Sequence, residues 1–115
     1  MIIGFIGIGK IASAVITGIY KSSIAQKKII ISPRNKETVK KLKKKFNSIK
    51  IAKNNQEVVN KSDWIFLSVT PNVGGKIIKD LKFRSNQTVI SFISTITLAQ
   101  LKKAIKVKAK IVRAI

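Results

Sequence analysis

Short unbroken apolar runs take turns along this chain with stretches in which an apolar residue recurs every third or fourth position. Ile2, Ile3, Phe5 and Ile6 form the first run and predict a strand over 2–7, buried on both faces. Ile11, Ala12, Val15, Ile16 and Ile19 follow at helical spacing and predict a helix over 10–21. The alternation then repeats. A strand over 28–32 leads to a helix over 35–46 with Val39, Leu42 and Phe46 on one face. A short strand over 49–52 and a helical turn over 56–60 precede the second unbroken run, a strand over 64–69. Val73, Ile77, Ile78 and Leu81 mark a helix, and 88–93 a strand. Thr97 and Gln100 form a capping-box pattern ahead of Leu98, Leu101 and Ile105, so a helix starts there, and 110–113 reads as a last strand. Strands alternating with helices over short connections predict an α/β fold: a doubly wound parallel sheet with helices on its faces.

Chemistry enters at the first turn. Gly7 and Gly9 sit where the first strand becomes a helix, and Ala12 is the third small residue of a G-x-G-x-x-A pattern. A pyrophosphate can rest there only if backbone comes close to it, which a Cβ would obstruct; the following helix aims its free N–H groups and positive dipole end at the phosphates. The competing reading is a turn that uses glycine merely for positive φ. The N-terminal position, the correct flanks and the further βα units favour a dinucleotide site built from Ile6, Gly7, Ile8, Gly9, Lys10 and Ile11. A domain selective for NAD usually carries an acid about 20 residues on, to accept the ribose 2′-hydroxyl. Here the second strand ends in Ser32-Pro33-Arg34-Asn35 with no acid, so a 2′-phosphate held by Ser32 and Arg34 fits better, and NADP is favoured over NAD. The same segment also suits a plain turn, with Pro33 fixing φ and Asn35 capping the next helix. Ser68, Val69, Thr70 and Pro71 close the fourth strand, at the kind of strand end where open α/β sheets bind ligands; a simple turn capped by Asn72 is the alternative. Asn55 is a candidate for the adenosine side or an N-cap, and Ser94 and Thr95 face the nicotinamide or satisfy loop backbone.

Composition narrows the classes. The 115 residues make one domain, small for a complete enzyme. There is no cysteine for a disulfide framework or thiolate metal site, and no histidine, the commonest metal ligand and general base. The four acids Glu37, Glu57, Asp63 and Asp80 are too scattered for a carboxylate metal cage, so no metal ligand set is assigned. The net charge of +20 suits a polyanion partner, or else reflects heavy use of lysine, isoleucine and asparagine of the kind AT-rich coding produces. Lys40, Lys41, Lys43, Lys44 and Lys45 surround Leu42 on what should be a solvated helix face. The seven aromatics lie mainly in apolar segments rather than among the basic ones, which sets nucleic acid well behind a small-molecule ligand. No signal peptide pattern and no apolar stretch of the ~18 residues needed to span a membrane is present, so cytoplasm is the default and no membrane partner is expected.

Taken together, these residues resemble the N-terminal NADP-binding, Rossmann-type domain of the pyrroline-5-carboxylate reductase family over essentially the whole chain. The resemblance rests on Gly4-Phe5-Ile6-Gly7-Ile8-Gly9, Asn55-Gln56-Glu57-Val58-Val59 and Ser62-Asp63 before Trp64-Ile65-Phe66-Leu67-Ser68-Val69-Thr70-Pro71. It continues through Val89-Ile90-Ser91, Ile96-Thr97-Leu98-Ala99-Gln100-Leu101 and Val112-Arg113-Ala114-Ile115. It implies reduction of a cyclic imine by hydride from NAD(P)H, with proline as product. By the same resemblance Ile6 to Ile11 hold the pyrophosphate, Ser32 and Arg34 the 2′-phosphate, and Asn55 the adenosine ribose region. Ser68, Val69, Thr70 and Pro71 with Phe92, Ile93 and Ser94 line the nicotinamide half. No catalytic acid or base is assigned, which hydride addition to an activated imine tolerates. Lys10 replaces the family's usual Asn or Gln, Thr70 its usual Lys, and Phe92-Ile93-Ser94-Thr95 a small loop ending in glycine. These changes cluster around the nicotinamide half, as in a divergent paralogue. The family's C-terminal helical domain, which builds the dimer and most of the imine site, is expected to be missing here, leaving uncovered apolar surface and a chain inactive on its own.

Overall fold

The computed structural model describes residues 1–22 and 28–114, the side chains of 71–73 excepted. Two assignments made from sequence, Pro71 at the site and Val73 on a helix face, therefore have side chains outside the described residues. The elements are β1 (Ile2–Ile6), α1 (Lys10–Lys21), β2 (Lys28–Ile31), α2 (Lys36–Lys45), β3 (Lys50–Ile51), α3 (Asn55–Lys61), β4 (Trp64–Leu67), α4 (Pro71–Asp80), β5 (Thr88–Ser91), α5 (Leu98–Ile105) and β6 (Lys110–Arg113). Among the described residues the six strands form one sheet in the order β3-β2-β1-β4-β5-β6, with every pair parallel. This is the doubly wound, Rossmann-type arrangement expected from the alternation of apolar patterns, and its strand order reverses between β1 and β4.

Side-chain alternation along each strand feeds two cores. Phe5, Ile29 and Ile31 pack with Ala12 and Ile16 of α1 and with Val39 and Leu42 of α2 on one face. Ile6, Ile30, Ile65, Leu67 and Val89 pack on the other, with Val58 and Val59 of α3, Ile78 of α4, and Leu101 and Ile105 of α5. A strand with apolar residues at every position is the only kind that can serve both. The capping box of α5 forms as expected: the Thr97 side chain accepts from the Gln100 N–H, and Gln100 Oε1 accepts from the Thr97 N–H at 2.8 Å. Gln87, buried at 1% exposure, donates to the carbonyls of Val59 and Ser62 and accepts from the Arg84 N–H. It thereby ties the end of α3 to the loop before β5.

Three expectations are corrected. Leu98 is 40% exposed, because it opens α5 before the helix reaches the sheet. Ile11 is 57% exposed for the same reason in α1, whose buried stripe begins at Ala12. Trp64 is 40% exposed although it begins an apolar run, because the face it shares lacks a helix. Register places Phe66 beside Phe5, Ile90 beside Phe66, and Val112 beside Ile90 on the α1 side of the sheet. The helices α3, α4 and α5 all pack on the opposite side, so among the described residues no helix lies over β4, β5 and β6 there. Phe66 stacks on Phe5 at 4.8 Å and on Phe92 at 5.5 Å, forming an aromatic row across this bare half.

Candidate functional site

The order reversal between β1 and β4 opens a crevice at the carboxyl ends of the strands, and the glycine turn stands in it. Gly7 has φ +88°, and a Cβ there would lie 2.7 Å from Val69 N and Val69 Cγ1 and 2.8 Å from the Ser68 carbonyl carbon. Both the sign of φ and the approach of the β4–α4 turn require glycine. Gly9 differs. Its φ is −111°, open to any residue, and a Cβ there would meet nothing within 4 Å. Among the described residues nothing fills the space in front of Gly9, which faces the N-terminus of α1. Among the described residues no side chain caps that terminus, and no acid occupies its first turn. The first N–H groups of a helix have no partner within it, so they remain available to an anion here. Lys10 and Ile11, both exposed, flank this space.

Side chains from two neighbouring loops hold the turn in place. Ser32 Oγ accepts from the Gly7 N–H at 3.0 Å. Ser68 Oγ donates to the Gly7 carbonyl at 2.6 Å and approaches the Ile6 carbonyl at 3.3 Å. Asn35 Nδ2 donates to the Ile8 carbonyl at 3.0 Å. Ile8 itself is buried in the α1 core.

At the end of β2, Ser32 is 1% exposed, with its oxygen engaged by Gly7 and its hydroxyl hydrogen still available. Arg34 is exposed and makes no side-chain hydrogen bond or ion pair among the described residues. Asn35 does cap α2, accepting from the Thr38 N–H, but from a left-handed backbone. The N-cap of α3 is Asn54, not Asn55: Asn54 Oδ1 accepts from the Glu57 N–H at 2.9 Å. That leaves Asn55, half-buried in the first turn, with no side-chain hydrogen bond among the described residues.

On the far side of the crevice, β4 stops at Leu67 and β5 at Ser91, two residues earlier than the apolar runs predict. Ser68 and Val69, like Phe92 and Ile93, thus belong to the strand-end loops. Thr70 occupies the N-cap of α4 with Pro71 in its first turn, so Asn72 falls inside the helix and is not the cap. Phe92 and Ile93 diverge: Phe92 stacks on Phe66, and Ile93 is buried in the core beneath α4. Ser94 is exposed, and Arg113 fastens its loop, donating from Nε to the Ile96 carbonyl at 3.0 Å and from its terminal nitrogen to the Ser94 carbonyl. From sequence Asn35 is expected only as the cap of α2 and its bond to Ile8 is not expected, and no role is assigned to Asn54 or to the Arg113 side chain. Only for Arg113 was there a hint, in its membership of the Val112-Arg113-Ala114 landmark.

A groove of ≈ 560 Å³ lies between α4 and α5, with Thr95 and Ile96 at one end, but it does not reach the glycine turn. The strand-order reversal, not cavity size, locates the site. The α2 lysines lie on an exposed face, where Lys43 caps local carbonyls of Asn47 and Ile49. Among the described residues no helix is long and apolar enough to cross a membrane, and no group of His, Cys, Asp or Glu could hold a metal ion.

Known proteins share this fold. The chain is similar to the pyrroline-5-carboxylate reductase of Escherichia coli (strain K12), at 31% identity over an alignment of 115 positions covering 97% of this chain and 42% of that protein. Among solved structures it is similar to the 1-pyrroline-5-carboxylate reductase of Streptococcus pyogenes (TM-score 0.72, 30% identity, 90% of this chain and 38% of that one). It also shares its fold with the pyrroline carboxylate reductase of Plasmodium falciparum with NADP bound (TM-score 0.79, 24% identity, 96% of this chain and 40% of that one). The chain spans about two fifths of the length of the relatives it matches. A family model described as NADP oxidoreductase, coenzyme F420-dependent, matches residues 2–95, and the chain belongs to that family.

Proposed function

We propose that this chain supplies the NADPH site of a cytoplasmic imine reductase which, as the intact protein, reduces 1-pyrroline-5-carboxylate to proline. One observation carries the reading: at the β1/β4 crevice the uncapped N-terminus of α1 faces a space that a Cβ at Gly9 would enter and nothing else fills. The pyrophosphate fits there against the N–H groups of Gly9, Lys10 and Ile11, with the Lys10 ammonium adding charge and Ile6, Gly7 and Ile8 shaping the turn. Arg34, exposed and unpaired among the described residues, and Ser32, with its remaining hydroxyl hydrogen, take the 2′-phosphate. Asn55, free of the capping duty that Asn54 performs, takes the adenosine ribose region. Ser68, Val69, Thr70 and Pro71 with Phe92, Ile93 and Ser94 border the nicotinamide half, Ile93 through its backbone. When bound, the reduced nicotinamide supplies a hydride to the C=N carbon while the ring nitrogen takes up a proton. The relatives' names and the bound NADP of the Plasmodium protein support this cofactor and substrate class. The intact protein is proposed to be a homo-oligomer assembled through a C-terminal helical region that also completes the imine site.

Calorimetric titration tests the cofactor. NADPH should bind more tightly than NADH, and Arg34→Ala should remove a charge-assisted contact worth about 1.5–3 kcal/mol, weakening NADPH at least about tenfold and leaving NADH unchanged. Equal wild-type affinities for the two would overturn the NADPH assignment. An intact protein that binds NADPH and turns over no imine would make it a binding module instead.

A further inference from the structure

Asn35 has one of two positive φ values recorded for non-glycine residues in the described chain, at φ 61° and ψ 65°. A helix N-cap does not need this. Asn54 and Thr97 cap α3 and α5 from extended backbone, the ordinary conformation for that position, with bonds of 2.9 and 3.1 Å. The capping bond of Asn35 to the Thr38 N–H is the longest of the three at 3.4 Å, whereas its Nδ2 meets the Ile8 carbonyl at 3.0 Å. Its side chain is better placed for the glycine turn than for its own helix.

The consequence follows from peptide geometry. No peptide bond described here is cis, and in a trans peptide the C=O and N–H point in opposite directions. The Ile6 carbonyl is held from the β4 side by the Ser68 N–H at 2.9 Å, and the Gly7 N–H of that same peptide is held from the β2 side by Ser32. The Gly7 carbonyl is held from the β4 side by Ser68 Oγ. The next peptide is reversed: its carbonyl, that of Ile8, is drawn to the β2–α2 loop by Asn35, so the Gly9 N–H turns the other way, into the β1/β4 crevice. We infer that Asn35 is a positioning residue for the anion cradle, aiming the Gly9 N–H at a bound pyrophosphate through its hold on Ile8. This rests on the dinucleotide reading of the site. It also makes Asn35 distinct from its neighbour: Arg34 discriminates between dinucleotides, whereas Asn35 serves every ligand that carries a pyrophosphate.

The test is Asn35→Gly, which accepts a φ of 61° and deletes the amide. Titration with both dinucleotides should show NADPH and NADH weakened by the same factor, about fivefold to tenfold, as expected for loss of one well-oriented donor. Arg34→Ala weakens NADPH alone. Leu42→Val, which trims the packing of α2 without touching the turn, serves as the stability control: at a comparable drop in melting temperature it should leave both affinities unchanged. Asn35→Gly binding NADH as tightly as wild type overturns the inference and leaves the site reading standing. So does Leu42→Val weakening both dinucleotides as much as Asn35→Gly does. A wild-type chain that binds neither dinucleotide overturns both.

Discussion

The two glycines of the turn are expected to fail in opposite ways when substituted. At Gly7 an added methyl meets Val69 and Ser68 backbone atoms at 2.7–2.8 Å, and the backbone holds φ +88°. A left-handed backbone costs a non-glycine residue about 1–2 kcal/mol and forced overlap about 1–3 kcal/mol, so Gly7→Ala should lose about 2–5 kcal/mol of stability. That is a large part of the about 5–15 kcal/mol that holds a domain together. At Gly9 nothing lies within 4 Å and φ is −111°, so Gly9→Val should stay within about 1 kcal/mol of wild type, the scale of an N-cap exchange. Its valine would fill the space in front of α1. Displacing a pyrophosphate from only two charge-assisted N–H bonds at about 1.5 kcal/mol each loses about 3 kcal/mol, roughly a hundredfold in Kd.

Thermal unfolding followed by circular dichroism, paired with NADPH titration on the same samples, separates the two. Gly9→Val should melt near wild type and bind NADPH roughly a hundredfold more weakly. Gly7→Ala should melt far lower. If Gly9→Val keeps its NADPH affinity within twofold, the space in front of α1 holds no phosphate and the glycine turn is only a turn.

Two further outcomes concern the frame around the site. Gln87→Leu strips the partners from the Arg84 N–H and weakens those of the Val59 and Ser62 carbonyls, so the urea midpoint should fall by the equivalent of about 2–4 kcal/mol at unchanged slope; a shift below about 0.5 kcal/mol would mean that Arg84 alone suffices. The bare side of β4 to β6, with Trp64, Phe66 and Val112 in register or adjacent rows, should make the 115-residue chain self-associate in sedimentation despite its charge, and Val112→Lys should reduce this; a wild-type chain that stays monomeric would show that the face needs no cover.

What could be read from the sequence follows from what is local. Most strands and helices were visible because their apolar period is written in consecutive residues, whereas α3 read only as a helical turn, and the capping box at Thr97 and Gln100 was visible because both partners lie within four positions. The glycine turn was visible for the same reason. The errors have physical causes too. Leu98 and Ile11 obey helical spacing yet stand at helix starts, where the spacing holds and the sheet has not begun. Asn54 and Asn55 are chemically identical neighbours, and only the backbone decides which one caps. The clamps on the turn span 27 residues from Asn35 to Ile8 and 61 from Ser68 to Gly7, and no pattern within one element encodes them. Arg113 reaches back 19 residues to the Ser94 carbonyl in the same way.

The side-chain bonds that shape the cradle all come from residues before 70: Ser32 and Asn35 on one side of β1, Ser68 on the other. A loop whose polar groups are held in advance needs little ordering when a ligand arrives, so its affinity is not reduced by that entropy. Binding should therefore survive in this chain alone, since the residues proposed to hold the dinucleotide all lie within it. Turnover is another matter. In the proposed site the strand-end loops after β4 and β5 border the nicotinamide half from one side only, and among the described residues the sheet beyond them presents Phe66, Phe92 and Val112 without a covering helix. On the proposed reading of the site, the asymmetry that leaves one half of the sheet bare would also leave the reacting end of the cofactor unenclosed. Affinity and activity should thus separate in this chain, with dinucleotide binding intact and hydride transfer dependent on whatever comes to lie over the β4–β6 face.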